Sequence, residues 1–154
     1  MKIRSYTGSD KDRLESFLRR QVTFAAMNGQ TIDAFCVENV ADFEADGTVS
    51  LLMETDDDVV VIADLLRRHP TDGSLWLGLF VVDERFHGNG IAQTLYEQLE
   101  QEQMLPHHSV FRLGVLPHNE RAYRFWRRQG YTYEKESVTA RGDRVHVLIK
   151  TIDP

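Results

Sequence analysis

Two glycines follow an apolar stretch at the point where a helix is expected to begin. Residues 75–92 read LWLGLFVVDERFHGNGIA, which is typical of a buried strand, a short acidic turn and a helix start. Gly88 and Gly90 carry no Cβ, so the backbone there can approach a ligand closely. The free amides at the head of the following helix present partial positive charge to an anion. This junction therefore predicts phosphate binding, and a helix start that needs only tight backbone is the alternative interpretation.

The residues after the glycines predict an amphipathic helix. Ile91, Leu95 and Leu99 fall on one stripe, and glutamine and glutamate residues occupy the other side. A dinucleotide fingerprint would need a third glycine where Gln93 stands, and a Walker loop would need Gly-Lys followed by Ser or Thr. The sequence therefore excludes both of these common phosphate loops.

A second segment, residues 113–131, reads LGVLPHNERAYRFWRRQGY. It predicts a short strand, a proline-containing turn, an asparagine near a helix N-terminus and a helix that ends at Gly130. Together the two segments resemble the GNAT superfamily of N-acetyltransferases. The first motif of that family is Gln/Arg-x-x-Gly-x-Gly/Ala, and its second motif is Asn-x-x-Ala-x-x-x-Tyr before a Gly-aromatic pair.

The first motif fits this chain in two overlapping registers. Residues 85–90, from Arg85 to Gly90, satisfy it as written, and residues 87–92 satisfy it with His87 in the Gln/Arg position. Both registers place the same main-chain amides at the pyrophosphate of coenzyme A. The sequence therefore leaves the choice between the two registers open.

The second motif matches at Asn119, at Ala122 and at the closing pair Gly130-Tyr131, but Trp126 stands where the family usually has tyrosine. In the family that tyrosine is thought to protonate the departing thiolate of coenzyme A. An indole N–H can donate a hydrogen bond but is far too weak an acid to give up its proton. The substitution therefore puts the family's proton donor, rather than its coenzyme site, in question.

The pattern along the chain predicts the order βααβββαβαββ in a single domain, residues 1–154. Residues 74–82 are apolar on both faces, which predicts a central strand that is covered on each side. The order is that of a GNAT-like α/β (α+β) fold, with a central mixed, mostly antiparallel twisted sheet of about seven strands flanked by four helices. The predicted strands are 2–6, 49–54, 59–66, 74–82, 110–115, 131–138 and 144–151, and the predicted helices are 11–27, 32–43, 91–105 and 119–129.

The resemblance implies that acetyl-CoA is the cosubstrate. Backbone groups of Phe80, Val81 and Val82 would contact the pantetheine arm in the manner of an added strand. Asn119 would hydrogen-bond the arm, with helix capping as the alternative, and Trp126 would pack against the arm or the core. The pyrophosphate would lie against Gly88, Asn89, Gly90, Ile91 and Ala92, with charge added by Arg85 and His87.

The acid and the base of the reaction have no motif of their own. Tyr123 lies one turn before Trp126, and a phenol with a reference pKa of about 10 could protonate a thiolate, which makes Tyr123 the catalytic candidate. The thiolate can also leave with a proton from the attacking ammonium or from water. Residues 74–82 contain no carboxylate, so the base is predicted to be water, a residue of the N-terminal helices, or Glu54, His69 or Glu84.

Composition limits the partners and the location of the protein. The formal net charge of −6 argues against nucleic acid and mildly for a cationic substrate. The chain has no apolar run long enough to span a membrane, and residues 1–10 lack the apolar core of a signal peptide, so a cytoplasmic protein is expected. Cys36 has no cysteine partner and the histidines show no ligand spacing, so the sequence predicts neither a disulfide nor a metal site.

Three functions stay open at this point. The resemblance implies an N-acetyltransferase that moves an acetyl group from acetyl-CoA directly to a primary amine of a small molecule or peptide in a ternary complex. The second is a coenzyme-A-binding module of the same fold with lost or altered catalysis, as Trp126 suggests. The third is an α/β interaction protein that binds no nucleotide. Homodimers are frequent in the family, but nothing in the sequence tests the oligomeric state, and the acceptor has no motif in the sequence.

Overall fold

One sheet of seven strands forms the centre of the computed structural model, which describes residues 1–153. The strands lie in the order β1-β2-β3-β4-β5-β7-β6, so β1 and β6 are the two edges. Only β4 and β5 are parallel, and every other neighbouring pair is antiparallel, as predicted. The strands are β1 (Lys2–Ser5), β2 (Val49–Glu54), β3 (Val59–Leu66), β4 (Leu75–Val82), β5 (Val110–Val115), β6 (Thr132–Val138) and β7 (Arg144–Thr151).

The helices differ from the prediction at two places: the helix expected over residues 11–27 is two helices, which makes five in place of four, and the helix expected over residues 91–105 is α-helical only to Leu99. The side chain of Gln21 lies at the break, where its amide N–H donates to the carbonyl of Phe17 (2.9 Å) and its amide oxygen accepts the N–H of Glu84 (2.9 Å). A π-helical turn, Glu100–Met104, follows the fourth helix. The helices are α1 (Lys11–Arg19), α2 (Val22–Met27), α3 (Ile32–Glu44), α4 (Ile91–Leu99) and α5 (Glu120–Arg128).

Both faces of the sheet are covered by buried apolar side chains. Helices α1 to α3 pack on one face through Leu14, Phe17 and Phe35, whereas α4 and α5 belong to the cluster on the other face. Strand β4 contributes to both clusters, Val81 to the first and Val82 to the second. The prediction of a central strand that is covered on each side is therefore confirmed. Among the described residues, no helix is both long and apolar enough to cross a membrane.

Strand β4 loses its partner β5 halfway along. The parallel register consists of Leu75 opposite Phe111 and Trp76 opposite Arg112, and the later residues of β4 have no partner on β5. On the other side, the register with β3 shifts around Gly78, which is an extra residue in β4. The end of β4 therefore presents main-chain N–H and C=O groups that are not used by β5.

Candidate active site

A cleft of about 430 Å³ lies against the end of β4, on the side that β5 leaves unpaired. Its walls come from α2, the end of β4, the turn that leads into α4, and α5. Most of the residues predicted to bind coenzyme meet here, although they come from distant parts of the sequence. The predicted residues that line the cleft are Phe80, Val81, Val82, His87, Gly88, Gly90, Ile91, Ala92, Asn119 and Trp126.

The turn into α4 has the backbone conformation that only glycine adopts readily. Gly88 has a φ of +94° and Gly90, the residue before the first turn of α4, has a φ of +75°. No protein atom lies within 4 Å of a Cβ built at either position. The first amides of α4 have no partner within the helix. The N–H of Ile91 makes a long contact with the side-chain oxygen of Asn89 (3.4 Å). Open space beside amides that have no partner within the helix fits the diphosphate of a coenzyme.

The geometry favours one of the two registers of the first motif. His87 lines the cleft, and its Nε2–H donates to the carbonyl of Val82 (2.8 Å). Arg85 does not line the cleft, because its guanidinium bonds the carboxylate of Asp83 (3.0 Å) and lies 3.4 Å from Asp58. The register of residues 87–92 therefore agrees better with the structure. Like Arg85, the predicted coenzyme residue Asn89 does not line the cleft.

Asp83 anchors this turn to the end of α1. Its side chain is fully buried, and Arg20 and Arg85 bond it at 2.8 and 3.0 Å. Burial alone would raise the pKa of the Asp83 carboxyl, but the hydrogen bonds from Arg85 and Arg20 outweigh burial and hold the pKa below its usual range. The carboxylate is therefore ionised and structural.

Asn119 both caps α5 and lines the cleft. Its side-chain oxygen accepts the N–H of Ala122 (3.1 Å), which is the capping role named as the alternative. The side-chain NH₂ group is not needed for this cap. The capping geometry therefore leaves a hydrogen-bond donor for a ligand.

Trp126 forms part of the aromatic wall of the cleft. The side chain is 9% exposed and meets Phe80, Tyr96 and Tyr131 edge to face, with ring centroids 5.7, 5.0 and 5.6 Å away. Behind this wall the hydroxyls of Tyr96 and Tyr131 are 2.7 Å apart. Burial raises the pKa of both phenols, so neither releases its proton near neutral pH.

Tyr123 does not lie in the cleft. It lines a second cavity of about 460 Å³, and its ring meets that of His146 edge to face at 6.4 Å. Tyr133 completes the aromatic side of this cavity. The structure therefore separates the candidate acid from the predicted coenzyme residues.

The three named candidates for the base have other partners. Glu54 bonds Arg4 (2.6 Å) and Arg13 (2.8 Å), and the hydrogen bond from Arg4 lowers the pKa of its carboxyl. His69 accepts an N–H in the turn before β4. Glu84 accepts two N–H groups of α2, and none of the three lines the cleft. Among residues 1–153, no group of His, Cys, Asp and Glu side chains is arranged to hold a metal ion.

Several residues of the cleft were not predicted. Arg121 and Arg128 could have been found, since Arg121, Phe125 and Arg128 stand at helical spacing and share one side of α5. The contribution of α2 had no signal in the sequence. The unpredicted lining residues are Thr23, Phe24, Met27, Phe86, Gln93, Arg121, Ala122, Phe125, Arg128 and Gln129.

Comparisons with known proteins bear on the fold and the family of the chain. No curated protein matches the chain. An acetyltransferase from Thermus thermophilus is 19% identical, with 98% of this chain and 96% of that chain covered and a TM-score of 0.80. An aminoglycoside 6'-N-acetyltransferase complexed with coenzyme A is 20% identical (100% and 98% covered, TM-score 0.70). The PaiA N-acetyltransferase from Thermoplasma acidophilum in complex with coenzyme A is 15% identical (97% and 98% covered, TM-score 0.68).

These structural neighbours share the fold over almost the whole of both chains. A family model described as acetyltransferase (GNAT) family matches residues 16–131, which is most of the chain. The protein therefore belongs to the GNAT family of acetyltransferases.

Proposed function

We propose that the protein transfers an acetyl group from acetyl-CoA directly to a primary amine of a small molecule or peptide in a ternary complex. The observation that carries this proposal is one continuous cleft, which joins the glycine turn at the start of α4 to the unpaired end of β4. Acetyl-CoA supplies the acyl group as a thioester, which an amine can attack. An aminoglycoside 6'-N-acetyltransferase has the same fold, which supports a small-molecule amine as the acceptor.

Different residues of the cleft bind different parts of the coenzyme. The main-chain groups at Phe80, Val81 and Val82 that neither β5 nor β3 uses hold the pantetheine arm as an added strand would be held, and the carbonyl of Val82 is shared with His87. The NH₂ group of Asn119 donates to the arm, because the side-chain oxygen is used by the cap. The first amides of α4 hold the diphosphate, and His87 can donate to it only from a protonated Nδ1, because its Nε2–H already donates to the carbonyl of Val82.

Two arginines add positive charge to the cleft. Arg121 and Arg128 line the cleft, and neither forms an ion pair within the described residues. A guanidinium with no carboxylate partner is well suited to a phosphate group. These side chains therefore complete the binding site for the adenosine phosphates.

The proton transfers depend on water in this proposal. The titratable side chains that line the cleft within residues 1–153 are His87, Arg121 and Arg128, all of which we assign to phosphates. Water therefore accepts the proton of the attacking amine. Trp126 donates a hydrogen bond at most, and Tyr123, the acid predicted from the sequence, lies outside the cleft. In this proposal water or the attacking ammonium supplies the proton to the thiolate, and mutation of Tyr123 tests that assignment. The net charge of −6 favours a cationic acceptor, and cytoplasmic location and a homodimer stay predictions.

The alternative is a coenzyme-A-binding module with lost or altered catalysis. Trp126 favours it, because tryptophan replaces the family's proton donor in the wall of the cleft. Coenzyme binding is common to both functions. Release of free thiol from acetyl-CoA in the presence of a panel of amines separates them, since only the enzyme produces it.

Thermal unfolding with and without coenzyme A tests the binding site itself. A ligand at about 100 times its dissociation constant stabilises the native state by about 2.7 kcal/mol. For a chain of this size, we expect the Tm to rise by about 5–11 °C. An unchanged Tm at millimolar coenzyme A, with no uptake in equilibrium dialysis, would contradict both the enzyme and the module.

A further inference from the structure

The short helix α2 is fastened at its N-terminus to the turn that follows β4. The carboxylate of Glu84 accepts the N–H of Thr23 (2.6 Å) and the N–H of Phe24 (3.2 Å). In return, the N–H of Glu84 donates to the side chain of Gln21 (2.9 Å). The neighbouring ion pair of Arg20 with Asp83 strengthens the same junction. The turn that holds α2 in this way continues directly into the glycine turn of the coenzyme cleft.

The other end of α2 is fastened to the loop between β5 and α5. Nε2–H of His118 donates to the carbonyl of Met27, the last residue of α2, at 2.9 Å. His118 comes directly before Asn119, which caps α5 and lines the cleft. Both loops that carry predicted coenzyme residues therefore also hold an end of α2.

Helix α2 has little stability of its own. It has only six residues, and isolated helices of that length do not persist in water. It packs on the protein through Ala25, which is 1% exposed, and through the ring of Phe24, whose centroid is 5.7 Å from that of Phe35. The side of α2 that carries Thr23, Phe24 and Met27 lines the cleft. Its position therefore depends on contacts at its ends and on whatever fills the cleft.

We propose that Glu84 and His118 are positioning residues that couple α2 to the coenzyme. They hold α2 as a wall of the cleft, so that a bound coenzyme and a seated α2 stabilise each other. The inference rests on the proposed function, because it takes coenzyme A as the ligand of the cleft. Coupling of this kind is reciprocal: the factor by which the coenzyme stabilises α2 is the factor by which a seated α2 strengthens coenzyme binding.

Hydrogen exchange of residues 22–29 measures the coupling without any acceptor. We expect saturating coenzyme A to slow exchange of this segment about fivefold or more in the unaltered protein. Glu84→Ala and His118→Phe each remove the hydrogen bonds that hold one end of α2, so each variant should lose most of this slowing. By the same linkage, the Kd for coenzyme A should rise about fivefold in each variant. Glu84→Gln keeps an oxygen of the same reach and should retain part of the effect.

A matched control separates coupling from the loss of any carboxylate. Asp33→Asn removes a carboxylate at the start of α3, where Asp33 pairs with Arg19 at 2.8 Å and does not line the cleft. This variant should keep the full coenzyme-dependent slowing. Should Glu84→Ala fail to fold, His118→Phe decides the question alone, because it alters a side chain at the surface.

The outcomes that overturn the inference differ from those that overturn the function. If the unaltered protein binds coenzyme A but exchange of residues 22–29 does not slow, α2 is not coupled to the coenzyme. If Glu84→Ala and His118→Phe both keep the full slowing of exchange and the full affinity for coenzyme A, Glu84 and His118 are merely structural. If the unaltered protein does not bind coenzyme A at all, the proposed function fails first and takes this inference with it.

Discussion

Gly90 has a conformation that other residues adopt at a cost. With a φ of +75°, an alanine at this position is strained by about 1 kcal/mol or more, and its methyl group points into open space beside the first amides of α4. We expect Gly90→Ala to lower the free energy of unfolding by about 1 kcal/mol and to raise the Kd for coenzyme A about tenfold. Urea unfolding and isothermal titration measure the two effects separately.

Gly142 provides the control for this substitution. It has a φ of +88°, no atom lies within 4 Å of a Cβ built there, and it lies in the turn between β6 and β7. Gly142→Ala should therefore carry the same strain and leave the Kd for coenzyme A unchanged. Equal losses of affinity in both variants would mean that the glycine turn at α4 has no special relation to the ligand.

We expect Arg128 to bind the 3'-phosphate of coenzyme A, which dephospho-coenzyme A lacks. It lines the cleft with no carboxylate partner, whereas its neighbour Arg127 lies outside the lining. An exposed charge pair contributes up to about 1 kcal/mol, so Arg128→Gln should raise the Kd for coenzyme A about fivefold. The Kd for dephospho-coenzyme A should change much less, and Arg127→Gln should alter neither. Equal weakening of both ligands by Arg128→Gln would place the arginine elsewhere.

Tyr123→Phe tests the predicted acid. Because Tyr123 lines the second cavity rather than the cleft, we expect this variant to keep kcat within about twofold, with the thiolate leaving by way of water or the attacking ammonium. A tenfold or larger fall in kcat with an unchanged KM would instead establish Tyr123 as the proton donor. Initial rates with any accepted amine provide the measurement.

At the scale of elements, the strands were the easiest part to predict. The bounds of β2, β3, β5 and β7 agree with the sequence prediction to the residue. Turn residues and acidic residues separate the apolar runs from one another, and this marks the ends of the strands. The break between α1 and α2 was not predictable, because no Gly or Pro lies there. It depends on a bond between Gln21 and Glu84, which are 63 residues apart in the chain.

The same limit applies to the candidate site. The glycine turn, the end of β4 and Asn119 could be read from local motifs and line the cleft. Helix α2 brings Thr23, Phe24 and Met27 to the cleft through tertiary contacts alone. The divergence of β4 from β5 after Trp76 likewise depends on packing rather than on a local pattern.

Gln21→Ala should show how much the break contributes to stability. The side chain is fully buried, and its loss leaves the N–H of Glu84 without a partner, which costs about 1–3 kcal/mol. Asn39 is the matched control, because it is also buried and donates to the carbonyl four residues before it, but accepts no distant N–H. Urea unfolding should show a clearly larger loss for Gln21→Ala than for Asn39→Ala. Equal losses would mean that the distant bond contributes nothing.

At the scale of the whole molecule, the sequence predicted the family and the seven-stranded fold, and both predictions are confirmed. The predicted cosubstrate, acetyl-CoA, agrees with two structural neighbours that are complexed with coenzyme A. They could be made because two motifs with defined spacing cover the coenzyme end of the domain. The acceptor could not be predicted, since α1 to α3 and the β6–β7 hairpin carry no such motif. Membership of the family therefore gives acetyl transfer as the reaction class and leaves the acceptor to experiment.

The stability of the molecule should fall in acid partly through Asp72. Burial alone would raise the pKa of this carboxyl, but hydrogen bonds from the hydroxyl and N–H of Ser74 and from the indole of Trp76 outweigh burial and lower the pKa to about 2. A pKa depressed in the folded state means that the stabilisation is present above pH 4 and is lost as the pH falls toward 2. The contribution at neutral pH is about 2 kcal/mol.

Asp72→Asn should remove this contribution. We expect a free energy of unfolding about 2 kcal/mol lower at pH 7 and a shallower decline between pH 4 and pH 2, measured by urea unfolding at each pH. Asp33→Asn, at a side chain that is 80% exposed, should leave the decline as it is. An Asp72→Asn decline as steep as that of the unaltered protein would assign the acid sensitivity to other carboxylates.

The two outer strands of the sheet have a consequence for self-association. β1 has only four residues, and β6 carries consecutive charges at Glu134, Lys135 and Glu136 along its largely exposed length. Edge strands that are short or charged disfavour the addition of further strands. Both edges of the sheet therefore disfavour the addition of strands from other molecules, and we expect any homodimer to form through helices or loops instead of a continuous sheet.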